Sequence, residues 1–254
     1  MSFWHAEQKT SQPGGYGFSP QKEVCVGSTG REFYMGGAAM ATHIWALEHH
    51  FDRPLYWATT QFLNHGLLGE KMELTVESVS GGRSVVQALA EMRRGKDILH
   101  RTIAALGRRE GTPDQAFIKK PESRPPLECP LKKEDAMTTP GNLLTLFERR
   151  TASEDPVTGK EHMWIRPLFE SRVDSALLAL ISDFFLGAHL KTRGGTSLDN
   201  TLRVINLVKT DWMMMVTQLS SFTRGAVHGH THIFSEEGIL LATSSQTGLL
   251  PRMT

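Results

Sequence analysis

The feature that most constrains this chain is an internal repeat. The segment RSVVQALAEMRRGKDILHRTIAALG, residues 83–107, can be laid on RGAVHGHTHIFSEEGILLATSSQTG, residues 224–248. Ile98-Leu99 then meets Ile239-Leu240, and Gly107 meets Gly248. Self-similarity of this length marks a supersecondary unit used twice. The order of elements repeats as well. After Gly36-Gly37, the run AAMATHIWALEHHF has small and apolar residues at helical spacing and predicts a helix over Ala38–His50. Strand-like runs follow at Leu55–Leu63, Lys71–Ser80, Ser84–Arg93 and Asp97–Leu106, with hairpin signals at Gly81-Gly82 and Arg94-Gly95-Lys96. In the second copy EHMWIRP reads as a strand and Asp174–Ala188 as a helix. Strands are then expected over Ser197–Val208, Trp212–Ser221, Thr223–Phe234 and Ile239–Gly248.

Met72, Leu74 and Val76 alternate with Glu73, Thr75 and Glu77, the pattern of a sheet with one dry face. Each copy is therefore an α+β unit, a helix lying on an antiparallel sheet. One such unit leaves sheet edges open and a cleft unfinished, whereas two side by side complete each other. In the repeat register Thr102 falls on Thr243, but Ala105 falls on Gln246. The halves share a scaffold and differ in polar groups, so one half looks stripped of chemistry.

The expected divisions are an N-terminal surface segment over 1–32, rich in Gly, Pro, Ser and charge, and a first unit over 33–110. A polar, proline-rich linker follows over 111–160, containing ESRPPLECP and TTPGN and a short helix near Asn142–Glu148, and then a second unit over 161–254. Lys and Arg number 28 against 27 Asp and Glu, which gives no general field for nucleic acid or an anionic surface. Cys25 and Cys129 are far apart and lack C-x-x-C spacing, which fits a reducing cytoplasm better than a disulfide framework or thiolate zinc site. The first residues hold no apolar leader, and the most apolar run, Ala176–Ala188, is interrupted by Ser182 and Asp183 and is too short to span a bilayer. A chain that is neither secreted nor membrane-spanning is expected.

Phe33-Tyr34-Met35-Gly36-Gly37 leads into the first helix, and Gln61-Phe62-Leu63 closes the next strand before Gly66. The second half carries Met163-Trp164-Ile165-Arg166, Leu180-Ile181-Ser182-Asp183-Phe184, Thr196-Ser197-Leu198-Asp199 and Gly238–Gly248 (GILLATSSQTG) in order. In these residues the chain resembles the acyl-CoA thioesterase II (TesB-type) family over nearly everything after the first thirty positions. The resemblance implies a double hotdog fold, an acyl-CoA substrate, and hydrolysis to free acid and coenzyme A without metal or organic cofactor. It also implies a catalytic trio of Asp, Thr or Ser, and Gln, carried here onto Asp199, Ser220 or its neighbour Ser221, and Gln246. Gly36 and Gly37 become candidate substrate-binding positions, where helix N–H groups could meet the thioester oxygen. A homo-oligomer is expected. Asn200 departs from the histidine that many relatives carry, and Leu55–Leu63 lacks the family's histidines.

These residue types suit the reaction, because a carboxylate can take a proton from water while neutral hydrogen-bonding groups orient it towards a carbonyl carbon. Three other readings compete: an acyl-thioester-binding module without turnover, an enoyl-CoA hydratase, and a metal-binding sheet protein. The hydratase would carry a Gly-Asp-x-Asn-Pro-type segment, which is not found. The metal reading comes from His228, His230 and His232, which alternate on one strand and so project from one face. Their plain explanation is a polar outer sheet face.

Overall fold

The computed structural model describes residues 3–9, 13–111, 114–133 and 138–251. The first half holds β1 (Glu7–Gln8), β2 (Gly15–Phe18), β3 (Cys25–Val26), β4 (Phe33–Tyr34), α1 (Gly36–Phe51), β5 (Leu55–Phe62), β6 (Met72–Gly81), β7 (Val85–Arg94) and β8 (Asp97–Gly107). The second holds β9 (Phe147–Asp155), β10 (Lys160–Pro167), α2 (Ser175–Ser182), β11 (Thr196–Val204), β12 (Met213–Thr223), β13 (Ala226–Ser235) and β14 (Leu240–Leu249). Antiparallel pairing links twelve strands in the order β1-β2-β6-β7-β8-β5-β11-β14-β13-β12-β10-β9. The strands expected from alternation and hairpin glycines appear within a few residues of their predicted ends. Gly95, at φ +57, turns the β7–β8 hairpin as its sequence demands.

The two units meet where β5 pairs with β11, residues 57–61 against 199–203. This ladder is centred on Thr59 and Thr201, whose hydroxyls hydrogen-bond at 2.9 Å. Equivalent positions around that centre are Asn200 in the second unit and Ala58 in the first. Asn200 pairs with Gln246 on β14, and Ala58 pairs with Ala104 on β8. Ala104 thus occupies the place of Gln246, one residue from the Ala105 read from the repeat. Both Ala58 and Ala104 are buried against the first core.

α1 and α2 pack against each other in opposite directions. Glu48, late in α1, accepts a hydrogen bond from Ser175 Oγ at the start of α2 (2.9 Å), while Gly37, early in α1, reaches the residue that ends α2. Ala38, Ala39, Ala41 and Ala46 are buried and let the helix sit close to its neighbours.

Two expected irregular regions are more ordered than their composition suggests. Residues before 33 bury Trp4, Tyr16, Val24 and Cys25, and β2 covers the edge that β6 would otherwise leave open. Their glycines and prolines mask a sparse apolar pattern. Within 111–160, Phe147–Asp155 forms the outermost strand, paired along β10. FERRTASED is too charged to resemble a strand because much of its surface faces solvent. The short helix expected near Asn142–Glu148 is a 3₁₀ turn, Leu143–Leu146, capped by Asn142 Oδ1 accepting from Leu144 N–H at 3.2 Å. The proline-rich stretch lies over Trp164, whose Nε1–H donates to the Arg124 carbonyl at 3.1 Å, and Lys132 pairs with buried Glu161.

On the buried face of α1, His43 Nδ1 lies 2.7 Å from Thr102 Oγ1, which is 2.8 Å from Thr60 Oγ1. Burial lowers the pKa of His43 well below the usual value and that of His100 to about 4. Both imidazoles therefore stay neutral in the folded chain while unfolded histidines take protons near 6.5. Below about pH 6.5 the unfolded state binds more protons, so these groups withdraw stability as pH falls towards 4. Compared with the native chain, His100→Gln is therefore expected to gain urea resistance as pH falls from about 6.5 towards 4. A difference from native that stays constant with pH would exclude His100 as a source.

A candidate active site at the seam of the two units

The apolar run of α2 ends at Ser182, and the chain tightens into a 3₁₀ turn over Asp183–Ala188. Asp183 is thereby held inside the protein at 7% exposure. Buried carboxylates need partners, and three donors converge here. Gln246 Nε2 donates to Oδ1 at 2.6 Å, Ser197 Oγ donates to Oδ1 at 3.1 Å, and Gly37 N–H donates to Oδ2 at 2.6 Å. Gln246 Nε2 also donates to Ser197 Oγ at 2.8 Å. Burial pushes the Asp183 pKa up to about 6, against the opposing pull of Gln246, Gly37 and Ser197.

Ser197 reaches this cluster through a β-bulge. The β11–β14 register shifts between Ser197 and Asp199, so Leu198 is the extra residue and is turned outward. A bulge re-aims its neighbours. Ser197 and Asn200 consequently both face Gln246, although three positions apart on one strand.

The cluster borders a cavity of about 310 Å³ to which both units contribute. Gly36, Tyr34, Phe62 and His100 line it from the first, and Asp183, Phe184 and Ser197 from the second. The largely apolar wall, with a few convergent polar groups, is what a binding site for a small or chain-like ligand requires.

Of the residues singled out from sequence, Gln246 lies in the cluster, Gly37 donates to it and Gly36 lines the cavity. Asp199 does not join them. It pairs with Thr247, and its carboxylate accepts the Thr247 N–H at 2.7 Å on the face opposite Asn200 and Gln246. Ser220 lies elsewhere. It is exposed at a bulge in β12, as is Ser221, and borders a separate crevice beside Pro156, His189 and Phe222. Asp183 and Ser197 were not among the site residues expected from the sequence, although Asp183 stands out as the one charge within the apolar run Ala176–Ala188.

The histidine row lies along β13 with His230 and His232 rings 5.3 Å apart, and His228 Nδ1 is 3.1 Å from Thr247 Oγ1. Among the described residues, no group of three or more His, Cys, Asp or Glu is placed to hold a metal ion. No helix among them is long and apolar enough to cross a membrane.

Two helix-on-sheet units sharing a cavity at a buried carboxylate make this a double hotdog protein of the thioester hydrolase class. The chain belongs to the acyl-CoA thioesterase family: residues 28–107 match its N-terminal domain and residues 121–250 its C-terminal domain. Similar solved structures include a presumed thioesterase from Novosphingobium aromaticivorans, 28% identical, with 95% of this chain and 97% of that one covered and a TM-score of 0.89. A tesB protein from Mycobacterium avium subsp. paratuberculosis is 19% identical, with 98% and 97% covered and a TM-score of 0.82. The acyl-CoA thioesterase II TesB2 of Mycobacterium marinum is 20% identical, with 99% and 96% covered and a TM-score of 0.77. The two mycobacterial likenesses speak to the fold alone. No curated protein matches the sequence.

Proposed function

We propose that this protein hydrolyses an acyl-CoA to the free acid and coenzyme A, with Asp183 as general base for a water positioned by Ser197, and with Gln246 holding both side chains in place. The observation that carries the reading is the convergence of those three side chains, with Asp183 and Ser197 on the border of a cavity built from both units and Gln246 bonded to both from behind. A carboxylate has about four acceptor positions, and the three protein donors leave room for a proton from water. As that proton moves to Asp183, the water oxygen bonds to the thioester carbonyl carbon and the carbonyl becomes an oxyanion. The first turn of α1, at Gly36, offers N–H groups without intrahelical partners and the positive end of the helix dipole to that oxyanion. Collapse of the intermediate breaks the carbon–sulfur bond, and Asp183 returns the proton to the departing thiolate. Two free, buried cysteines support a cytoplasmic setting for the reaction.

Thiol release from a series of acyl-CoAs of increasing chain length tests the proposal. The native chain should release thiol, and Gln246→Ala should slow it by about a hundredfold or more. No release at any chain length would sink the reading. The rate should fall as pH drops through about 6, because the base must be ionised to accept a proton.

A further inference from the structure

Gln246 could turn either end of its amide towards Asp183, but only the NH₂ end can donate to a carboxylate. The hydrogen bonds behind Gln246 select that end. Tightening of the chain after α2 sends the Asp183 N–H to the Leu180 and Ile181 carbonyls. The Ala179 carbonyl thus lacks the partner that a continuing α-helix would give it. Ser182 Oγ–H donates to it at 2.8 Å. A hydroxyl whose proton is engaged in this way can only accept from its other neighbour, and Asn200 Nδ2 donates to it at 2.9 Å. The same nitrogen donates to Gln246 Oε1 at 3.1 Å. Gln246 is left with Nε2 facing Asp183 and Ser197. Ser182, Asn200 and Gln246 are all buried, so bulk water offers no competing partners.

We infer that Asn200 is a positioning residue, which holds the Gln246 amide with its NH₂ towards Asp183 by passing on the polarity set at the Ala179 carbonyl. The inference rests on Asp183, Ser197 and Gln246 being the hydrolytic site. Asn200 makes no hydrogen bond to Asp183 or Ser197; its Nδ2 reaches only Ser182 Oγ and Gln246 Oε1, so its link to the site runs through Gln246. Its second consequence is electrostatic. With the NH₂ held in place, the ionised form of Asp183 keeps a donor that offsets part of its burial.

Asn200→Ala removes both bonds, whereas Asn200→Asp offers only acceptors and invites the Gln246 NH₂ to turn away from Asp183. In thiol-release assays kcat should fall about tenfold for alanine and further for aspartate, with KM within about twofold of native. The acid limb of the pH–rate profile should move to higher pH in both. Carbon-13 NMR of labelled aspartate carboxyls reads the same change without turnover, and the Asp183 midpoint should rise by about half a unit or more in Asn200→Ala. The alanine variant adds no charge, so it carries the test even if the aspartate variant does not fold. Folded variants that keep the native acid limb and the native Asp183 midpoint would overturn the relay, whatever their kcat. A native chain that releases no thiol, while its variants still shift the Asp183 midpoint, would sink the hydrolytic reading and leave the relay in place.

Discussion

Asp183→Asn is expected to lower kcat/KM for acyl-CoA hydrolysis by about a hundredfold to ten-thousandfold, the usual range for removing a positioned base. Its fold should survive, because asparagine has the same shape and carries no buried charge. The pH dependence of stability gives a second, independent signature. Asp183 has a folded pKa near 6, above the roughly 3.9 of an unfolded aspartate. Between those values the folded chain holds a proton that the unfolded chain has lost, so stability falls as pH rises and stays low above 6. The shift corresponds to roughly 3 kcal/mol, all of it absent from the variant. Urea melts at pH 4 and pH 7 should therefore show the variant gaining on the native protein as pH rises. The buried histidines are common to both proteins and cancel in this comparison. A native-like rate in the variant would remove Asp183 from the mechanism, and a pH-independent stability difference would contradict its raised pKa.

Gly37→Val is expected to damage stability and activity together. A Cβ at position 37 would lie 2.5 Å from the Leu180 carbonyl oxygen and 2.7 Å from Asp183 Cβ. The first of these is backbone and cannot rotate away, so α1 and α2 must move apart. Overpacking of this kind costs about 1–3 kcal/mol. The same movement lengthens the Gly37 N–H contact to Asp183, and misplacement of a reacting group by about 1 Å can lower rate about a hundredfold. Thermal midpoint and kcat should thus fall in one variant. Full activity with an unchanged midpoint would show that the helix contact is looser than its geometry implies.

The strands and the doubled plan were legible because they are written in local terms. Alternation sets a strand's face, and residues such as Gly95 fix its turns. Gln246 was legible through the family resemblance, with the repeat marking it as a polar residue that has no counterpart in the first half. Asp183 was harder to read, because the apolar pattern of Ala176–Ala188 does not reveal that the α-helix stops at Ser182 and tightens, turning one carboxylate towards another element. The bulge at Leu198 turns Ser197 rather than Asp199 towards Gln246, and it depends on pairing with β14, nearly fifty residues away. A one-residue shift in a strand moves each side chain to the other face, and nothing adjacent to Thr196-Ser197-Leu198-Asp199 announces it. The N-terminal strands and β9 were missed for a related reason, since edge strands with one wet face carry a weak pattern.

The hydrogen bond from Gly37 to Asp183 joins residues 146 positions apart in the chain. During synthesis the first unit emerges with its N–H donor but no carboxylate, and the carboxylate arrives later on a unit that lacks that donor. The two groups meet only when the helices dock, so under the proposed mechanism hydrolytic competence reports completed assembly. A partly folded chain that has collapsed around either unit alone would lack one member of that pair. Selection for activity in such a protein is also selection for faithful pairing of its halves, because the half that carries alanine at Ala58 and Ala104 still supplies the helix donor.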